Sequence, residues 1–330
     1  MIFQNIDFHN VEEMTPVEGG GWCMWRVPEK VRAACSESLQ KTSARFTCDV
    51  ELRFVMKSET ADLHLRVLPD EEAQTAFLYY GSIQGGCSDT CWNIDTAETV
   101  IRIRKPQNMD ALRKISEEAN LPFSPEVVRL VLPYGVCVFM GVEGDIEPPT
   151  PDMYPAKKYL AYGSSITHGS LALGTPHTYS FRIGQKLGMD YFNKGFAGTA
   201  LLEKEMAEYI VSLKDWDVAT VEMGVNMMGK FSEEEFEQRV DDFTRVLAAD
   251  GRPVFATSIF RFNGSNQEKA AKFREIVKKY AGERLTNFTD GLDILWNPAH
   301  ISHDMVHPSL EGAEDIVNNW YAVIKAGLDK

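Results

Sequence analysis

The sequence predicts an α/β protein in two parts. A β-sandwich, jelly-roll-like in kind, is expected over residues 1–150, and a three-layer α/β/α unit with a parallel sheet over 151–330. Three observations carry this reading. Short segments with apolar–polar alternation fill the first half, strand-like runs alternate with helical patterns in the second, and a proline-rich stretch lies between. A chain of 330 residues has room for two cores.

The first-half elements follow from period-2 patterning. Residues 46–56 (FTCDVELRFVM), 62–68 (DLHLRVL) and 98–104 (ETVIRIR) alternate as half-buried strands do. Residues 127–132 and 136–142 are apolar runs on either side of the turn Pro133-Tyr134-Gly135. A helical stretch at about 108–119 interrupts the strands. Residues 145–156 hold four prolines, which resist regular structure and predict a linker.

Beyond it, strands are expected at 158–163, 190–193, 217–223, 253–259 and 284–288. The helix at 233–249 opens on Ser232 and Glu235, a capping-box pair, and places Phe236, Val240, Phe243 and Leu247 on one face. A last helix over 310–326 aligns Ile316, Trp320, Val323 and Ile324. Such alternation implies a parallel sheet covered on both sides, with ligands bound beyond the carboxyl ends of its strands.

Composition narrows the function. A net charge of −14 repels phosphate backbones and anionic lipid heads, which argues against nucleic-acid and membrane partners. The N-terminus shows no cationic segment followed by an apolar run, so a cytoplasmic protein is expected. All six cysteines lie in the first half and are expected as reduced thiols; Cys87 and Cys91, four apart, fit neither a redox pair nor a zinc knuckle. No cofactor and no metal are expected, and homo-oligomerisation stays open.

The chemistry concentrates in two loops. Gly163-Ser164-Ser165-Ile166-Thr167-His168-Gly169 follows a strand, and a serine on such a turn can present its hydroxyl beside backbone N–H groups. The lysine of a phosphate-binding loop is missing from it. Asp304-Met305-Val306-His307-Pro308 precedes the last helix. A serine needs a base, and the base a carboxylate to fix its tautomer; Asp304 and His307 supply both, with His300 and His303 as competing bases.

These residues resemble the GDSL, or SGNH, hydrolases over about 157–327. Gly163-Ser164-Ser165-Ile166-Thr167 is similar to the first block, Asn193-Lys194-Gly195-Phe196-Ala197-Gly198 to the second, Gly224-Val225-Asn226 to the third, and Asp304-Met305-Val306-His307-Pro308 to the fifth. The resemblance implies a flavodoxin-like sheet, a Ser165–His307–Asp304 triad, and an oxyanion hole formed by Ser165 N–H, Gly198 N–H and the Asn226 amide. Ser164 and Met227 stand where the family usually has aspartate, which puts the sub-family in question. His168 and Trp296 are candidate substrate contacts. A sandwich ahead of such a domain is similar to carbohydrate esterase family 2, which implies removal of acetyl groups from an oligosaccharide or small-molecule ester. Two rivals stay open: an acylhydrolase for longer chains, and a non-catalytic carbohydrate-binding protein.

Overall fold

The computed structural model describes residues 1–69 and 74–329. In the first half, two antiparallel sheets lie face to face. One runs Ile2–Phe3, Ile6–His9, Glu51–Met56, Val127–Val131, Gln74–Tyr80, Ile83–Gln84, with Cys91–Ile94 also pairing to Gln74–Tyr80. The other runs Thr99–Arg104, Thr60–Val67, Cys137–Glu143, Trp22–Trp25, Glu13–Pro16. Side chains alternate across each strand, so Leu52, Phe54 and Leu130 of one sheet meet Leu63, Leu65, Ile101 and Phe139 of the other in one core.

Two expectations are corrected here. Residues 46–50 are not strand: Asp49 adopts a left-handed φ of 60°, and pairing begins only at Glu51. The stretch 145–156 is not a free linker. Ile146 is buried, and Ile146–Glu147 pairs with Val55 and Met56; the prolines stop that pairing, and a 3-10 turn, Pro151–Met153, follows.

Between Trp25 and Glu51 the chain leaves the sandwich. Two short helices, Glu29–Arg32 and Glu37–Lys41, send Val31 and Leu39 into the core of the second half, beside Leu202 and Met206.

That second half has five parallel strands in the order Asp190–Gly195, Lys158–Gly163, Val218–Glu222, Val254–Thr257, Asn287–Thr289. Alternation separates its two faces. Leu160 and Tyr162 join helices Glu233–Asp250 and Gln267–Arg284 on one side, while Tyr159 and Ala161 join Tyr179–Leu187 and Leu310–Leu328 on the other. The capping box of Glu233–Asp250 forms as its sequence requires, with Ser232 and Glu235 each accepting the other's backbone N–H. The last strand is shifted from 284–288. Ala270, Phe273, Val277 and Ala281 prolong a buried helical face, so the helix runs to Arg284 first. Among the described residues no helix is long and apolar enough to cross a membrane.

The sandwich docks on the edge strand Asp190–Gly195. Arg53 holds the Asp190 carboxylate with two bonds of 2.8 and 2.7 Å, and Arg129 and Arg53 both grip Glu51. Burial alone would raise the Asp190 carboxyl; the charges of Arg53 and His9 outweigh it and hold the group at about 2. Removing one member of such a buried pair costs on the order of 3–5 kcal/mol, because the other charge is stranded.

Candidate active site

The carboxyl ends of the first three parallel strands in the chain deliver three loops to one edge of the sheet. After Lys158–Gly163 the chain turns at once into a four-residue helix, Ser165–His168. Ser164 caps it, its Oγ accepting the Ile166 N–H at 3.2 Å, and Gly169 closes it with a φ of 104°. Ser165 is therefore the first residue of a helical turn, its N–H among those a helix leaves unpaired.

The Ser165 Oγ stands 2.7 Å from His307 Nε2, and His307 Nδ1 stands 2.6 Å from Asp304 Oδ2. The other Asp304 oxygen accepts from Ser302 Oγ at 2.6 Å and from the N–H groups of Val306 and His307, each at 2.9 Å. Desolvation acts to raise the Asp304 carboxyl, but these donors hold it well below the usual carboxylate range.

Backbone contacts give the segment its shape. Ile301 bridges Pro308, Ser302 N–H donates to His307 O at 2.8 Å, and Met305 takes a φ of 68° at the tip. Of the competing bases, His300 is engaged at 2.6 Å by Asp315 on the last helix, and His303 is exposed. Among the described residues, only His307 meets Ser165.

The second loop follows Asp190–Gly195 and crosses close to the first. Phe196 N–H donates to Gly163 O at 2.9 Å, and a Cβ on Gly195 would sit 2.2 Å from the His168 nitrogen, so only glycine fits there. Gly198 turns the chain with a φ of 69°. The third loop is the 3-10 turn Val225–Met227, where Asn226 Oδ1 accepts the Ala200 N–H at 3.2 Å. That bond orients the amide and frees its NH2 group. Among the described residues, Ser165 N–H, Gly198 N–H and Asn226 Nδ2 have no acceptor. Met227 is fully buried in the core, a place no aspartate would occupy unpaired.

His168 is not a substrate contact. It is fully buried, its Nε2 is 3.0 Å from Arg26, its Nδ1 accepts the Ala197 N–H at 3.2 Å, and its ring packs on Tyr134 and Phe46. Burial, and then Arg26, lower its affinity for a proton well below the ordinary histidine value. Trp296 stands 58% exposed beyond the helix Gly291–Ile294, with no ring contact or hydrogen bond to the triad among the described residues. Four exposed apolar side chains flank the reacting groups in sequence: Leu171 and Leu173 on the loop after the Ser165 helix, Met305 at the tip of the His307 segment, and Leu310 at the start of the last helix.

Sequence patterns did not reveal Arg26. From the first half it donates to Ser43 O and Phe46 O on its own side, and to Asn193 O (2.8 Å) and Gly195 O (2.9 Å) across the junction. It is fully buried, which lowers its guanidinium to about 10. Tyr134 also crosses the junction, its hydroxyl 2.7 Å from Ser170 Oγ. Both residues lie between recognisable elements, where alternation carries no information. A base and a hydroxyl so arranged can attack a carbonyl carbon, and the unengaged N–H donors can stabilise the charge that develops on its oxygen: the chemistry of acyl transfer.

Comparison with known proteins agrees. Residues 161–314 match the model of the GDSL-like Lipase/Acylhydrolase family. Among curated proteins none matches the chain. Among solved structures, the chain is similar to the salicylyl-acyltransferase SsfX3 from a tetracycline biosynthetic pathway, at 16% identity and a TM-score of 0.76, covering 98% of this chain and 94% of that one. It is similar to a GDSL-like lipase from Bacteroides ovatus, at 16% identity and a TM-score of 0.64, with 92% of each chain covered. An acetyl xylan esterase, Est2A, from Butyrivibrio proteoclasticus aligns at 12% identity and a TM-score of 0.58, over 100% of this chain and 97% of that one. These likenesses span both halves.

Proposed function

We propose that this carboxylic ester hydrolase, whose residues 161–314 form a GDSL-like lipase/acylhydrolase domain, removes acetyl or other short acyl groups from carbohydrate hydroxyls with Ser165 as its nucleophile. The observation that carries the reading is the unbroken hydrogen-bonded line from Asp304 through His307 to Ser165.

The steps follow from the geometry. His307, oriented by Asp304, takes the Ser165 proton as the Oγ attacks the ester carbonyl. Ser165 N–H, Gly198 N–H and the Asn226 amide receive the oxyanion. His307 then returns its proton to the departing alcohol, and an acyl-serine remains. Water, deprotonated by His307, attacks that ester; the acid leaves and Ser165 recovers its proton.

Support for carbohydrate comes from architecture alone, since the acetyl xylan esterase aligns along the whole chain. On this reading residues 1–150 form an accessory domain that braces one side of the site through Arg26 and Tyr134, and 151–330 the catalytic one. Leu171, Leu173 and Met305 favour a second reading, in which an apolar acyl or leaving group rests on them. Rates on para-nitrophenyl esters from acetate to laurate, beside acetate release from acetylated xylan, separate the two. A maximum at acetate with release from the polymer supports the first, and rates that climb toward laurate support the second.

A further inference from the structure

Glu222 ends the central strand Val218–Glu222 and is 1% exposed. Its carboxylate lies over Gly163. A Cβ built on that glycine would stand 2.6 Å from Glu222 Oε2 and 2.1 Å from Thr167 Oγ1, so the acid and the hydroxyl fill the space a side chain would need. Oε2 accepts the Ser164 N–H at 2.7 Å and the Thr167 hydroxyl at 3.2 Å. Thr167 is held in turn by Tyr179 OH at 2.6 Å. Glu222 Oε1 is buried with no hydrogen-bond partner among the described residues.

The acid thus grips the N–H of the residue immediately before the nucleophile and the hydroxyl two residues after the nucleophile. Burial, the largest influence, raises its carboxyl above the usual carboxylate value, and the donors Ser164 and Thr167, with a positive His307, oppose that rise. Tyr162 from the neighbouring strand and Tyr179 from the helix Tyr179–Leu187 also lie within its field.

We propose that Glu222 is a positioning residue for the Ser165–His307 pair: it pins the turn that presents Ser165, and its negative charge stabilises the imidazolium that forms when His307 takes the serine proton. The inference rests on the roles given to Ser165 and His307 above. The strand end is paired, Glu222 with Thr257 of the next strand, and an anchor on the Ser164 N–H sets the direction in which the next residue leaves the strand. A displacement of about 1 Å at a reacting group costs on the order of 100-fold in rate. The charge acts through buried protein, where Coulomb interactions carry over several ångströms. Glu222 itself exchanges no proton with substrate.

The test compares Glu222→Gln, Ser165→Ala and wild type on para-nitrophenyl acetate, with kcat, KM and the pH profile of kcat/KM recorded and folding checked by circular dichroism. Glutamine keeps the shape and removes the charge. For Glu222→Gln, kcat is expected to fall about tenfold or more with KM changed less than about twofold. The acid limb of kcat/KM is expected to move to lower pH by about half a unit or more, because the imidazolium loses a neighbouring anion and gives up its proton more readily. An unmoved acid limb, with or without a fall in kcat, overturns the proposal, since a scaffold residue would leave that limb in place. Should the glutamine variant not fold, Glu222→Asp retains the charge but withdraws it from Ser164; a wild-type kcat there overturns the proposal equally. If Ser165→Ala retains turnover, the failure belongs to the nucleophile assignment instead.

Discussion

Arg26 reaches out of the N-terminal half and places its guanidinium 2.9 Å from the carbonyl oxygen of Gly195, at the root of the loop that carries Gly198. The same group holds Asn193 O and contacts His168, whose other ring nitrogen accepts the Ala197 N–H. The first half is therefore part of the framework of the second loop, and the two halves share a structural cost when this contact is lost.

Replacing Arg26 with methionine keeps the apolar stem and removes the donors. Four carbonyl oxygens lose a charged partner: Ser43, Phe46, Asn193 and Gly195. The expected loss of stability is about 3 kcal/mol. In the fraction that stays folded, kcat should fall about 100-fold with a smaller change in KM. Thermal melting and kinetics at low temperature check this, and a folded variant with wild-type kcat would show that the second loop holds its shape alone.

Asn226→Ala removes one of the three proposed oxyanion donors and leaves the Ala200 N–H without its acceptor. The expected outcome is a fall of about 10²–10³ in kcat with little change in KM, since the donor acts on charge that appears only in the transition state. A rise in KM at constant kcat would place Asn226 in ground-state binding instead.

Asp304→Asn leaves the loop able to close, because an amide oxygen still accepts from Val306 and His307 N–H. His307 Nδ1 then loses the carboxylate that sets its tautomer. A decrease of about 10³–10⁴ in kcat is expected. Retention of more than about a tenth of the activity would contradict the role assigned to Asp304.

Asp49 gives a pH-dependent prediction about stability. Burial raises its carboxyl to about 6, against the opposing bonds from Asn193, Ser180 and Thr178. A carboxyl whose folded-state value is raised contributes stability below its unfolded value near 4, and loses it as pH climbs through about 6. Two units correspond to about 3 kcal/mol. The unfolding free energy of wild type minus that of Asp49→Asn should therefore fall by about 2–3 kcal/mol between about pH 4 and about pH 7. Parallel curves for the two proteins would show that Asp49 does not titrate in this range.

Much of this was legible before the structure. Period-2 and period-3.6 patterns located the parallel strands and the helices Met109–Glu118, Glu233–Asp250 and Leu310–Leu328, since a parallel sheet between two helical layers imposes burial that the sequence must satisfy; they missed the short sandwich strands between Ile2 and Trp25 and between Gln74 and Ile94. Ser165 and His307 stood out because their loops sit at strand and helix boundaries. The pattern failed where burial is shared between halves. Val31 and Leu39 fill a core far along the chain, and Arg26 satisfies carbonyls that no local rule predicts. His168 looked like a pocket residue because nearness in sequence to Ser165 hid its burial under Tyr134 and Phe46. Glu222 reads in the sequence as an ordinary strand-end acid; only the fold lays it over Gly163.

The central claim is that Ser165 forms the acyl-enzyme. Hydrolysis of para-nitrophenyl acetate by wild type and by Ser165→Ala, purified side by side and shown to melt alike, tests it most directly. The account predicts a loss of about 10³-fold or more in the variant. Equal rates in two folded proteins would contradict it.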